Sequence, residues 1–192
     1  MANTTQPFLS DVKELRRRAR EHMDRGAVTS SYELDPKQVC DVLNQALATE
    51  IVCVLRYKRH FYSAKGLNKD AVAQEFLAHA NEEQGHADRI SERITQLGGD
   101  PDLNPATLAT RSHSEYVVAD DLVSMCEENL VAERIAIESY TEIIRFLGDK
   151  DVTSRRMMEE ILAVEEEHAN DMLDLIAKMG DSKSANGKGA SK

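Results

Sequence analysis

Residues 82–90 read EEQGHADRI, and residues 164–173 read VEEEHANDML. Each stretch carries a glutamate with a histidine three positions on: Glu83 with His86, and Glu165 with His168. Three positions are close to one helical turn, so both side chains of a pair project from the same face. Their surroundings decide the fold. Val72, Phe76, Ile90, Ile94 and Leu97 recur at steps of three and four around the first pair, and Met158, Ile161, Met172, Leu175 and Met179 around the second. Such stripes belong to amphipathic helices with one face in a core. Here each stripe is broken near its middle by a carboxylate and an imidazole.

Two further stripes have the same defect. Leu43, Leu47, Val54, Tyr57 and Phe61 are interrupted by Glu50; Leu122, Cys126, Ala136, Tyr140, Ile144 and Leu147 are interrupted by Asn129 and Glu133. A lone buried carboxylate costs several kcal/mol unless it is neutralised or paired, and four together repel one another. No Lys or Arg lies on these stripes. Two divalent cations would balance four carboxylates, with neutral imidazoles completing the coordination. Glu50, Glu83, His86, Glu133, Glu165 and His168 are therefore predicted to hold two metal ions between helices. The spacing repeats: Glu50 precedes Tyr57 by seven positions and Glu83 by 33, and Glu133 precedes Tyr140 by seven and Glu165 by 32. Two helix pairs with one ligand pattern imply a pseudo-two-fold centre. The alternative, a salt-bridged helix surface facing water, fits poorly with the apolar residues on either side.

The rest of the chain is organised around these stripes. Its 192 residues fit one domain, and with 30% charged and 5% aromatic residues and no Trp the composition favours helix. The fold class is all-α, a four-helix bundle, with helices expected over about 36–64, 68–97, 116–147 and 152–179. Pro36 opens the first; Gly98-Gly99-Asp100-Pro101, Gly148 and Gly180 close the later three. Residues 100–115, with two prolines, read as an irregular crossover between helices two and three. Residues 1–35 form an amino-terminal arm, disordered at first, with a short charged helix over 10–25 capped by Ser10 and a linker from Gly26 to Pro36. Residues 36–180 form the bundle domain, and 181–192 (DSKSANGKGASK) read as a disordered polar tail.

The formal charge of −10 weighs against general nucleic-acid binding. Cys40, Cys53 and Cys126 are odd in number and form no disulfide framework, which fits a reducing cytoplasm. Residues 1–10 contain no apolar run of the signal-peptide kind. The apolar stretches read as too short for the roughly 20 residues that cross a bilayer. A cytoplasmic protein without a membrane span is expected.

The segments LNQALATEIVCVLRYKRH (43–60), EEQGHADRI (82–90), LVAERIAIESY (130–140) and VEEEHANDML (164–173) resemble the bacterioferritin and Dps-like branch of the ferritin superfamily, over roughly residues 36–179. The resemblance implies a bundle with one long crossover. It puts the six residues above in ferroxidase ligand positions and Tyr57 and Tyr140 as tyrosines bonded to ligand carboxylates. It implies two iron ions per subunit, with manganese or zinc as alternatives, and oxidation of Fe(II) by O2 or H2O2. Storage of ferric iron in a homo-oligomeric cage and protection against oxidative stress follow. Gln84 stands where bacterioferritins carry a haem-ligating Met, so haem is not expected. The long arm and the lack of a fifth-helix signal resemble the twelve-subunit Dps-like shells more than the twenty-four-subunit ones. Other activities on the same bundle are a manganese catalase, a rubrerythrin-like peroxidase (weakened by the lack of a Cys-x-x-Cys pair) and a DNA-protecting structural protein of the Dps type. For the last, Lys13, Arg16, Arg17, Arg18, Arg20 and Arg25 in the arm and Lys183, Lys188 and Lys192 in the tail are candidate contacts, expected to bind DNA weakly. His79 reads as a satisfied core histidine or a neighbour of the ligands, and His60 matches a bacterioferritin histidine. Cys53 and Cys126, one and two turns from ligand glutamates, read as inert core thiols or redox partners of the metal site.

Overall fold

The computed structural model describes residues 11–66 and 69–180 in full and the backbone of 181–187. Six α-helices follow one another among them: α1 (Val12–Arg18), α2 (Pro36–Ser63), α3 (Lys69–Gln96), α4 (Leu108–Arg111), α5 (Leu122–Leu147) and α6 (Val152–Gly187). Described residues include no strand, as the all-α expectation required.

Local chemistry sets the helix ends. The Asp35 carboxylate accepts from the Lys37 amide at 3.0 Å with Pro36 in the first turn, so α2 starts at a capped, preorganised end. Asp121 likewise accepts from the amides of Val123 and Ser124. This cap starts α5 at Leu122, six residues after the predicted start, because Val117 and Val118 are poor helix formers. The turn after α3 needs glycine twice. Gly98 has φ of 82°, and a Cβ on Gly99 would lie 2.6 Å from Cys40 Sγ.

Three other expectations are corrected. The crossover is not wholly irregular, since α4 lies inside it and packs on α2. The short charged helix spans Val12–Arg18, capped by Asp11, followed by a 3-10 turn at Met23–Arg25; Ser10 and residues 1–9 lie outside the described residues. And α6 continues through Gly180 to Gly187, within the stretch read as a disordered tail. Gly180 keeps a negative φ there, and a single helical glycine costs only about 1 kcal/mol with no proline following to stop the helix. Residues 188–192 lie outside the described residues.

α2 packs along α3 and α5 along α6, each pair joined by a short turn, and the pairs meet through α2 against α5 and α3 against α6. One apolar cluster, with Leu43, Leu47, Ile90, Ile94, Leu147 and Ile161, fills one stretch of the bundle. A second, with Tyr57, Phe76, Cys126 and Met172, fills another. Buried aliphatic side chains stabilise by about 1.5–3 kcal/mol each, which lets the bundle tolerate a polar middle. The segment read as a linker is docked: Val28 is buried in the first cluster, with Tyr32 and Leu34 against it. Tyr32 also donates to Asp151 Oδ2 at 2.7 Å, and Asp151 holds the buried Arg93 at 3.0 Å. Within α2 lies a stretch long and apolar enough to cross a membrane by length and composition, contrary to the sequence reading, but 61% of it is buried inside the bundle.

Candidate metal centre

Glu50 comes from α2, Glu83 and His86 from α3, Glu133 from α5, and Glu165 and His168 from α6. All six predicted residues meet in the space between the apolar clusters, each 6% exposed or less. They form two overlapping groups: Glu50, Glu83, His86 and Glu165 in one, Glu83, Glu133, Glu165 and His168 in the other, with donor atoms inside each group within 4.8 Å of one another. Glu83 and Glu165 belong to both. Two shared carboxylates, with one further carboxylate and one imidazole on each side, make a symmetric donor set of the kind that would hold two adjacent cations.

Hydrogen bonding fixes which atoms face inward. Tyr140 donates to Glu50 Oε1 at 2.5 Å, and Tyr57 donates to Glu133 Oε1, so each helix pair orients the other's glutamate. The outer oxygens are thereby satisfied. Glu50 Oε2, Glu133 Oε2, Glu83 Oε1, both oxygens of Glu165, and Nδ1 of His86 and His168 are buried without a hydrogen bond. Orphaned buried acceptors are costly, and here they converge. His86 Nδ1 lies 2.9 Å from Glu165 Oε1 and 3.4 Å from Glu50 Oε2; His168 Nδ1 lies 3.5 Å from Glu83 Oε1 and 3.6 Å from Glu165 Oε2. The Nε2 of His168 donates to Glu82 at 2.7 Å, which leaves its Nδ1 lone pair turned inward. Oxygen and imidazole donors of this kind suit ferrous, manganous or zinc ions. The residues fit a pair of divalent cations.

Electrostatics point the same way. Burial, with the charges of Glu83 and Glu165, holds the Glu50 and Glu133 carboxyls well above the usual carboxylate range. Burial would pull the His86 imidazole down, but Glu165, Glu50 and Glu83 push it up to about 12; Glu165 and Glu83 push His168 up to about 11 against the same penalty. With protons as the only cations to share, the cluster gathers them.

Several neighbours were not legible as site residues. Arg56 is 1% exposed and donates from Nε to Asn129 Oδ1 at 3.0 Å, and from a guanidinium nitrogen to the Glu115 carbonyl at 3.0 Å and Ser114 Oγ at 3.2 Å. It lies one position off the stripe, where an arginine normally reads as solvated. Asn129 Oδ1 also meets His60 Nδ1 at 3.2 Å. Glu82 is the first of two adjacent glutamates, and nothing in the sequence marks it as a partner of His168. Cys53 receives a long contact from Arg56 at 3.5 Å, and burial pushes its thiol well up, as it does Cys126, to about 12. Both stay protonated, in keeping with core thiols. All three cysteines are free and buried.

The repeat that aligns Glu50 with Glu133 and Glu83 with Glu165 also exposes an asymmetry. Asn129, Arg56, His60, His79 and Glu82 have Ala46, Ser139, Ile143, Ile161 and Val164 as their counterparts. The polar set gathers around Glu133 and His168; the Glu50 and His86 side is packed by aliphatic residues. A groove of about 450 Å³ between α3 and α6 reaches His86 and His168 and is lined by Glu75, His79, Glu82 and Asp171 among others.

The profile of the ferritin-like domain family matches residues 40–181. The bacterioferritin of Brucella melitensis is 31% identical over 152 residues, covering 77% of this chain and 89% of its own. The nutrient stress-induced DNA-binding protein of a Synechococcus species is 29% identical over 169 residues, covering 79% and 94%. Among solved structures, the dodecameric thioferritin of Bacteroides fragilis, a bacterioferritin-related protein, matches with a TM-score of 0.76 at 36% identity, covering 79% of this chain and 92% of that one.

Proposed function

We propose, on the premise that this chain belongs to the ferritin-like domain family, that it is the ferroxidase subunit of an iron-storing cage that protects against oxidative stress. The observation that carries this reading is the convergence of orphaned buried donors from two overlapping four-residue groups that share Glu83 and Glu165. Ferrous iron is the substrate. Two ions give up one electron each; O2 would take the pair with two protons and leave as H2O2, or H2O2 would take it with two protons and leave as two waters, and the ferric product is retained as mineral.

Glu83 and Glu165 would bridge the ions; Glu50 with His86 and Glu133 with His168 would complete the two ends. Bound iron supplies the one-electron redox chemistry that these side chains lack. The protein's own contribution is positional. Tyr57 and Tyr140 turn one oxygen each of Glu133 and Glu50 toward the ions, Glu82 fixes the His168 ring, and the apolar clusters keep bulk water from the ends of the site. Haem has no part in this reading, since Gln84 hydrogen-bonds Asp88 on the outer face.

A twelve-subunit cage is favoured over twenty-four because the Bacteroides fragilis relative, similar over most of both chains, is a dodecamer. A cytoplasmic location goes with it. DNA binding is expected to be weak. In α1, Arg17 is paired with Glu14 and Glu21, and Arg18 with Glu14, so the arm offers less charge than its lysines and arginines imply. The side chains of the tail lysines lie outside the described residues.

Aerobic Fe(II) oxidation, followed by ferric absorbance and then size-exclusion chromatography with iron analysis, tests the reading. Rapid oxidation and a large iron-bearing particle are expected, with both lost in Glu83→Ala and Glu165→Ala. A small species holding no ferric core would overturn the cage, and wild-type oxidation by the alanine variants would overturn the site. Tightly held manganese with vigorous O2 release from peroxide would replace ferroxidase with catalase chemistry.

A further inference from the structure

We infer a third metal site, separate from the six-residue centre, at the mouth of the α3–α6 groove: Glu75 and His79 on α3 with Asp171 on α6, taking a divalent transition ion. The three residues present donor atoms within 4.8 Å of one another. His79 Nε2 stands 3.5 Å from Glu75 Oε1 and 3.5 Å from Asp171 Oδ2. That separation is long for a charge-assisted hydrogen bond, which closes to about 2.7–2.9 Å. It matches two ligands on one tetrahedral ion, since bonds of about 2.0–2.2 Å place neighbouring donors roughly 3.4 Å apart.

The ring of His79 is aimed and fixed. The side chain is 2% exposed and stacks on His168 with centroids 3.8 Å apart and planes 16° apart. Its Nδ1 lies 3.1 Å from the Tyr57 hydroxyl. That hydroxyl proton is committed to Glu133, so the Tyr57 oxygen accepts and Nδ1 carries the donated hydrogen. The other nitrogen then presents its lone pair toward two carboxylate oxygens. A bound cation makes that arrangement favourable, and the Nδ1–H bond through Tyr57 to Glu133 is the support a metal-bound imidazole ordinarily receives.

The site belongs to one half of the bundle only. By the repeat, the counterparts of Glu75, His79 and Asp171 are Met157, Ile161 and Arg89, a set unable to hold a cation. Glu75 and Asp171 are 41% and 42% exposed, so an ion is reachable from solvent while touching a ring stacked on the centre's own His168. Placed there, the ion is staged for transfer to the Glu133–His168 end first.

Titration of the full-length, metal-stripped chain with Co(II), read by visible absorption and equilibrium dialysis, tests this. Three ions per chain are expected in the wild type and two in Glu75→Gln/Asp171→Asn, whose substitutions are half-exposed and leave the core intact. Glu83→Ala/Glu165→Ala should keep one, lost again when the four substitutions are combined. Stopped-flow Fe(II) oxidation at limiting iron should slow several-fold in the groove variant, with its final extent unchanged. A wild type binding only two ions, or a groove variant still binding three, overturns the proposal without touching the centre. A wild type that binds a single ion, kept in Glu83→Ala/Glu165→Ala and lost in Glu75→Gln/Asp171→Asn, would overturn the function above and leave this site standing.

Discussion

Glu82, on the solvent side of α3, accepts the Nε2 proton of His168 on α6 at 2.7 Å. The carboxylate is 55% exposed while the imidazole is 2% exposed, so a surface residue sets the tautomer of a buried donor. Glu82→Gln is expected to weaken metal retention roughly 10–100-fold with little change in Tm, because no apolar contact is lost. Metal content after dialysis against a graded chelator measures it.

The raised pKa values of Glu50, Glu133, His86 and His168 set the direction of a pH effect. Burial and neighbouring carboxylates hold the Glu50 and Glu133 carboxyls above the usual range, and His86 and His168 carry protons at neutral pH when no metal is bound, so an incoming ion must displace protons. Affinity should rise with pH, by about tenfold per unit for each proton displaced. Calorimetry in buffers of different ionisation enthalpy counts the protons; loading without proton release would contradict the assignment.

Removing the metal should expose the cost of the polar middle. Loaded protein should be the more stable, by about 4 kcal/mol when free metal exceeds Kd a thousandfold. After chelation, burial acts to raise the Glu83 carboxyl but bonds with Glu50, His168 and His86 hold it well below the usual range, so Glu83→Gln should melt below wild type, because removing one partner of a buried pair strands the charged rings. Scanning calorimetry of loaded and chelated forms compares them.

Asp151 ties three segments together: Tyr32 from the arm, Arg93 from α3 and Ser154 from α6. Burial acts to raise its pKa, but the bonds from Ser154 and Tyr32 and the Arg93 charge hold it below the ordinary value. A depressed folded pKa means its stabilisation is present above the unfolded value of about 3.9 and is lost as pH falls through the folded one. Asp151→Asn should cost about 3 kcal/mol at neutral pH, and the gap to wild type should shrink under acid. Urea unfolding at both pH values tests the sign.

The four long helices and the six central residues were readable because periodicity is local: a single carboxylate breaking an apolar stripe of three- and four-residue steps is visible in the chain itself. What escaped depends on neighbours distant in sequence. Arg56 is buried because the crossover delivers Ser114 and the Glu115 carbonyl to it, and nothing near position 56 announces that. Glu82 looked like a surface acid because its partner is 86 positions away. The start of α5 was misplaced because charge and apolar spacing resume before the cap that controls the helix. α6 outran its prediction because a glycine permits a stop without compelling one.

The crossover also closes a side. α4 lies along α2, the His113 amide bonds Thr49 at 3.0 Å, and Arg56 clasps residues 114 and 115, while the opening that reaches His86 and His168 lies between α3 and α6. With that wall fixed, a reactant entering by the α3–α6 groove would pass Glu75 and Asp171 before it met the rings of His86 and His168. An ion slow to leave that pair of carboxylates would make the next one wait, a delay set by the doorway and separate from any chemistry at the centre.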